Sequence, residues 1–228
     1  MITLGLETTT KTGSVALVKS GQILAEQTLA GEMNHSEKLL PAVEKILAGR
    51  KLKYKDLDRV AASTGPGSFT GLRIGLTVAR AIAQMLDIEV VGVPTLDSLA
   101  FGQAPIAPVL CPLIPGLREQ VYYSFYRYRP AGQWQSVSKI NLGALDQVID
   151  SARAKHQVVV FTGEGLEIHQ TALQESLGAL AIFAPRRQWP PSAGQIALLG
   201  ETRKPQAWAR IVPLYVRPSE AELHWKGR

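Results

Sequence analysis

One order of elements occurs twice along this chain, and that repetition limits the fold more than any other feature. Residues 2–8 alternate over a length that suits a strand, and 14–19 and 22–29 follow as two more, joined at the hairpin turn Ser20-Gly21. From 35 to 48 the period becomes helical. Leu39, Leu40, Val43, Ile46 and Leu47 share an apolar face, and Asn34 or Ser36 stands where a cap is needed. Residues 59–63 read as a short strand, 69–86 as a long helix and 89–93 as the strand leading out.

Beyond the proline-rich stretch 105–115 the order returns. Residues 109–114, 120–128 and 134–140 read as strands, 142–154 as a helix, 157–162 as a strand and 166–177 as a helix. The halves share no evident sequence identity, so the repeat is one of architecture. Two β-β-β-α-β-α units in tandem describe an α/β fold of the actin-like (ASKHA) or sugar-kinase type; the competing reading is one mixed α/β domain. The division falls at 1–104 and 105–228. Residues 192–202, after Pro190-Pro191, form a final helix, and a tail with Trp208, Tyr215 and Trp225 packs back on the first lobe or on a partner.

The 228 residues are 46% hydrophobic, enough for a sizeable core in either arrangement. No apolar run approaches the ~18 residues that span a bilayer, and the start Met1-Ile2-Thr3-Leu4 lacks the features of a cleavable leader, so a cytoplasmic location is expected. Cys111, the single cysteine, lies in an apolar run and reads as a buried thiol. The net charge of +6 invites a nucleic-acid reading. Its carriers are dispersed, however. Asp56 and Asp58 interrupt Arg50, Lys51, Lys53, Lys55 and Arg59, while Arg203, Lys204, Arg210, Arg217, Lys226 and Arg228 face Glu201, Glu220 and Glu222. Ordinary solvated surface accounts for both groups, with loose steering of RNA as the alternative.

Three stretches carry candidate chemistry. Glu7-Thr8-Thr9-Thr10-Lys11-Thr12-Gly13 bends between the first two strands, where actin-like ATPases hold phosphate on backbone N–H groups while an acid orients a metal-bound water. Glu7 is the candidate acid, and Thr8 and Thr9 are candidate anion contacts. A polar hairpin rich in strand-favouring threonine accounts for the same residues equally well. The second stretch, Thr64-Gly65-Pro66-Gly67-Ser68-Phe69-Thr70-Gly71-Leu72-Arg73, ends a strand and opens the long helix. Ser68 can cap it, and Gly65, Gly67 and Ser68 join the candidate nucleotide or anion contacts. No Gly-Lys-Ser/Thr follows, so this is not a P-loop, and a structural turn is the default. The third stretch is a stripe of Gly71, Gly75, Ala79 and Ala83 along that helix. Its two interior glycines cost ~1 kcal/mol each against alanine, which implies close approach of another backbone, from this chain or from another subunit.

Histidines 35, 156, 169 and 224 are scattered without metal-ligand spacing, and no Gly-x-Ser-x-Gly elbow occurs. No catalytic or metal-ligating residue is therefore assigned. His35 reads as a surface or capping-region residue.

The twelve residues from Thr64 to Gly75 closely resemble the signature of the TsaB (YeaZ) family. Leu6-Glu7-Thr8, Ser14-Val15-Ala16-Leu17, His35-Ser36-Glu37-Lys38-Leu39-Leu40-Pro41, Val91-Gly92-Val93-Pro94-Thr95-Leu96 and Pro213-Leu214-Tyr215-Val216-Arg217 resemble further family segments. The resemblance implies an actin-like, non-catalytic subunit that pairs with the related TsaD and the ATPase TsaE to make threonylcarbamoyladenosine beside the anticodon of tRNAs reading codons that begin with A. It implies contact with tRNA through the complex, self-association into a dimer without TsaD, and no tightly bound cofactor, with ATP or ADP at the interface of the assembly. It also places the docking surface on the helices 35–48 and 69–86, with Leu39, Val43, Leu72, Gly75, Val78, Ala79 and Ile82 as candidate contacts.

TsaD carries a His-x-x-x-His motif whose positions hold Thr95 and Leu99 here, and neither side chain replaces an imidazole as a ligand. Family members often carry Asp-Ala-Arg where this chain reads Pro115-Gly116-Leu117, and Pro115 offers neither carboxylate nor N–H. The rival readings are an actin-like ATPase or small-molecule kinase using Glu7, a metalloprotease, and a free-standing RNA-binding module.

Overall fold

The computed structural model describes residues 1–29, 35–130 and 132–216. The first lobe runs β1 (Ile2–Glu7), β2 (Ser14–Lys19), β3 (Gln22–Thr28), α1 (His35–Gly49), β4 (Arg59–Gly65), α2 (Phe69–Leu86) and β5 (Glu89–Pro94). A short helix, α3 (Thr95–Phe101), leads into β6 (Val109–Pro115), β7 (Val121–Tyr123), β8 (Tyr126–Arg129), β9 (Gln133–Ser136), β10 (Asn141–Gly143), α4 (Leu145–Arg153), β11 (Val159–Thr162), α5 (Leu166–Leu177) and β12 (Ala181–Phe183). The helix α6 (Ala193–Thr202) comes last.

The duplication is visible in the sheets. The first is ordered β3-β2-β1-β4-β5, with β1, β4 and β5 parallel and the hairpin partners β2 and β3 antiparallel. The second places β10-β7-β6-β11-β12 in the same order with the same senses. The chain thus has two copies of one α/β motif, the actin-like arrangement. The central strands are buried almost throughout, as parallel strands covered on both faces must be. On one face α1 and α2 bring Leu39, Val43, Ile46, Leu76, Ala79 and Ile82 onto Leu4, Leu6 and Val60. Each fully buried leucine there contributes roughly 1.5–3 kcal/mol.

The opposite face of the first sheet is covered by α6, which follows only after the whole second sheet in sequence. Small residues allow the approach: a side chain on Gly194 would strike Ile23 and Glu26, and one on Gly200 would strike Ala61. Ala193 N–H donates to Ser14 Oγ at 2.9 Å, and Ser192 Oγ donates to Glu26 Oε1 at 2.7 Å. The chain then bridges Val90 to Gln206, buries Ile211 in the first core, and donates from Leu214 N–H to Thr64 O at 2.7 Å. A division at 104/105 follows the sheets but not this packing, since 192–216 lie on the first lobe. Asn34, Arg217, Glu220, Glu222, Trp225, Lys226 and Arg228 lie outside the described residues.

The second lobe departs from the sequence reading in its strands. The expected strand 120–128 is two, β7 and β8, which pair with β6 in one continuous register. The break falls opposite Pro112, which has no N–H to donate, and Phe125 N–H turns instead to Ser138 Oγ at 2.9 Å. The expected strand 134–140 is found only in its first part, as β9, and a separate strand β10 follows at Asn141–Gly143 in a shifted register. Gly143 stays paired in β10, so the helix expected from 142 starts at Leu145. The short elements α3 and β12 were not anticipated. Among the described residues no helix is long and apolar enough to cross a membrane.

Candidate functional site

The site lies where the β1–β2 hairpin meets the turn entering α2. Ser68 N–H donates to Thr9 O at 2.7 Å, and the Thr8 hydroxyl donates to Gly71 O at 2.7 Å. Added side chains on Gly67, Gly71 and Gly75 would run into Thr9 O, Thr8 O and the Thr8 hydroxyl respectively. These glycines form a seat for the hairpin. Gly65, at φ +104°, holds a left-handed conformation that an L side chain resists. Ser68 Oγ accepts from Gly71 N–H at 3.2 Å, so Ser68 caps α2 as its position indicated.

This arrangement turns three of the six sequence-assigned contacts, Glu7, Thr8 and Thr9, inward. Glu7 is fully buried, and its Oε1 accepts both Thr9 N–H and Thr9 Oγ1–H at 2.5 Å. Burial pushes its pKa up to about 7, against the opposing pull of the Thr9 bonds. Glu7 does not line the cleft beside it, so the candidate acid is walled off. The hydroxyl of Thr8 and both donors of Thr9 are engaged internally. Thr95, at the first of the two motif positions, donates to Thr9 Oγ1 at 3.3 Å, and Leu99 packs into the second core. Among the described residues no group of three or more His, Cys, Asp or Glu side chains could hold a metal ion.

Between the lobes lies a cleft of about 780 Å³. Its first-lobe wall includes Thr9, Thr10, Lys11, Gly67 and Ser68, and its second-lobe wall includes Ile114, Pro115, Leu117, Tyr122, Glu164 and Ile168. Pro115 brings no N–H, and Gly116 N–H is spent on Gln120 O at 2.7 Å. Tyr215 of the tail stacks on Phe69 with ring centroids 5.1 Å apart, and Arg73 covers the Phe69 ring. The cleft thus has mainly apolar walls and a polar end at the hairpin.

At that end the lobes touch. Thr10 Oγ1–H donates to Glu164 Oε1 at 2.8 Å. Burial raises the Glu164 pKa, while the Thr10 and Thr12 hydroxyls and Lys11 N–H pull the other way. His35 Nε2 lies 3.0 Å from Thr10 O and is buried, so it holds the hairpin and is not the surface residue its sequence position suggested. Glu164 was missed in the sequence. Its signal was Gly163-Glu164-Gly165 after β11, the second-lobe counterpart of the Gly65-Pro66-Gly67 turn after β4.

Six of the seven candidate docking residues, Leu39, Val43, Leu72, Gly75, Ala79 and Ile82, are buried within this chain, and Val78 is half-buried. A surface role for those six is corrected: the small stripe admits the chain's own hairpin and sheet. The exposed residues of the same helix pair include Leu40, Pro41, Glu44 and Lys45 on α1 and Thr77, Ala81, Gln84 and Met85 on α2. Met85 is 65% and Leu40 42% exposed.

A family model described as TsaD, tRNA N6-adenosine threonylcarbamoyltransferase, matches residues 22–225. The chain is 30% identical over 225 residues to the tRNA threonylcarbamoyladenosine biosynthesis protein TsaB of Bacillus subtilis, covering 99% of this chain and 98% of that protein. Among solved structures, YeaZ from Pseudomonas aeruginosa aligns with a TM-score of 0.78 at 23% identity, over 94% of this chain and 99% of that one. The ROK hexokinase of Thermus thermophilus aligns with a TM-score of 0.50 at 12% identity, over 89% and 99%, a likeness of fold.

Proposed function

Because the chain belongs to the TsaB (YeaZ) family, we propose that it is a non-catalytic subunit that docks the catalytic relative TsaD, together with TsaE, in making threonylcarbamoyladenosine in tRNA. The observation that carries this reading is the internal engagement of Glu7, Thr8 and Thr9. The groups that an actin-like ATPase would turn towards phosphate and water are bonded to one another and to α2. Donors already spent inside the fold cannot also stabilise a transferring group without breaking those bonds.

Docking falls to the exposed face of α1 and α2. Leu40, Ala81 and Met85 offer apolar contact there beside Glu44 and Lys45, the pattern of an apolar patch with a charged margin. In the absence of TsaD the same face pairs two copies of this chain about a two-fold axis. The subunit has no tightly bound cofactor of its own on this reading; ATP or ADP joins at the interface of the assembled complex, and tRNA is met through that complex in the cytoplasm. Co-elution with TsaD on a sizing column tests the docking. The wild-type chain co-elutes and Met85→Glu does not; co-elution of Met85→Glu at the wild-type level overturns the assigned face.

A further inference from the structure

One edge of the second lobe gathers cations that no carboxylate holds. In the β8–β9 hairpin Arg127 lies opposite Gln135 and Arg129 opposite Gln133, so these four side chains share one face. Tyr128 and Trp134 take the other face, where Trp134 Nε1–H donates to Gln103 O at 2.9 Å. The turn between α4 and β11 reaches the arginine face. Arg127 Nη2–H donates to Gln157 Oε1 at 3.2 Å, and the Lys155 ammonium lies over the Phe125 ring, 4.8 Å from its centroid. His156 stands exposed between Lys155 and Gln157.

The groups that hold these cations set the edge apart. Arg59 meets the Glu89 carboxylate at 3.2 Å and Arg203 that of Asp97 at 2.6 Å. On this edge Arg129 Nε–H donates to Gln135 Oε1 at 2.8 Å and Arg127 to Gln157, both neutral amide oxygens, while Lys155 rests on an aromatic face. Among the described residues Arg127, Arg129 and Lys155 form no ion pair. Neutral acceptors aim a guanidinium but leave its charge, and most of its N–H groups, to an anion from outside. Two residues apart on one strand, the two arginines are spaced by about 7 Å. The ligand class follows from what the face lacks. A protein interface has an apolar centre, and Arg127, Arg129, Gln133, Gln135, Lys155 and His156 supply none. A phosphate backbone requires only spaced cations and hydrogen-bond donors. We propose that this face is an RNA-backbone contact surface of the chain itself, with Arg127, Arg129 and Lys155 each meeting a phosphate. It lies on the second lobe and the docking face on the first, so either assignment can fail without the other.

The test is fluorescence anisotropy of a labelled, unmodified tRNA transcript titrated with the isolated chain across a salt series. The wild type binds saturably at low salt and weakens steadily as salt rises. Arg127→Gln/Arg129→Gln binds about tenfold more weakly, and its salt slope falls by about 2, one for each lost phosphate contact. Arg127→Lys/Arg129→Lys keeps both charges and stays within about threefold of wild type. Arg50→Gln/Lys55→Gln removes the same charge from exposed positions of the first lobe and also stays within about threefold. Equal loss in this control pair would assign the binding to bulk charge and overturn the proposal. So would an unchanged slope in Arg127→Gln/Arg129→Gln, or a wild type that binds no RNA. Displacement of the RNA by polyglutamate at matched charge would reassign the face to an acidic protein and overturn it as well.

Discussion

The Thr8 hydroxyl donates to the Gly71 carbonyl at 2.7 Å, so the first hairpin is bonded to the first turn of α2. The glycine stripe on that helix is explained by this contact. Gly71 leaves room for the Thr8 carbonyl and Gly75 for the Thr8 hydroxyl. Gly75→Val must move the hairpin or the helix, and overpacking of this kind costs about 1–3 kcal/mol. Urea denaturation should show a lower midpoint for Gly75→Val with an unchanged slope. A variant as stable as the wild type would refute this packing role.

Substitutions on the outer face of the helix pair should behave in the opposite way. Ala81 and Met85 are exposed, and surface changes such as Ala81→Arg and Met85→Glu stay within about 0.5 kcal/mol of wild type. They should leave the unfolding midpoint where it was and abolish TsaD capture in a pull-down. Undiminished capture by both would place the docking surface elsewhere.

Glu7 sets a pH dependence whose sign is fixed by its burial. Its pKa is raised from 4.5 to about 7 in the folded chain, so the folded state holds its proton where the unfolded state has released it. The stability linked to that proton is present in full below pH 4.5 and is lost as pH rises towards and through 7. A shift of this size corresponds to about 3 kcal/mol. Glu7→Gln carries no titrating group, so the stability difference between variant and wild type should grow in favour of the variant from pH 4.5 to 7. A difference independent of pH across that window would contradict the assignment.

A second link between the lobes is Asp97, which accepts from Tyr126 Oη–H and from Arg203 Nη2–H, both at 2.6 Å. These partners come from β8 and from the end of α6, so one carboxylate on α3 joins parts of both lobes. Asp97→Ala strands a buried tyrosine hydroxyl and a half-buried guanidinium, at a cost of about 1–3 kcal/mol. Thermal unfolding of Asp97→Ala should show a lower midpoint than wild type, and Tyr126→Phe a smaller loss. Equal stability of all three would show that the network contributes nothing.

The first lobe was legible because its signals are local. Alternation gave β1 to β3, and the run from Thr64 into α2 carried both a capping serine and a helical period. The split of β7 from β8 was not legible, because it depends on which residue faces Pro112 across the sheet. The place of α6 was hidden for the same reason, since Gly194 and Gly200 acquire meaning only against Glu26 and Ala61. At the site, Ser68 and the glycines were found from sequence, but the direction of the stripe was not. Periodicity assigns residues to one side of a helix without saying what lies opposite. The glycines flanking Glu164 marked a turn, but its contact was not legible because its partner Thr10 is 154 residues away.

The central claim is that this chain is required without performing the chemistry itself. It is tested most directly by measuring threonylcarbamoyladenosine formation on unmodified tRNA with TsaD, TsaE and a source of threonylcarbamoyl-adenylate, with and without the chain. Product is expected only when the chain is present, with loss of product for Met85→Glu and retention of product for Glu7→Gln. Equal product without the chain would contradict the docking role, and loss of product with a stably folded Glu7→Gln would contradict its non-catalytic character.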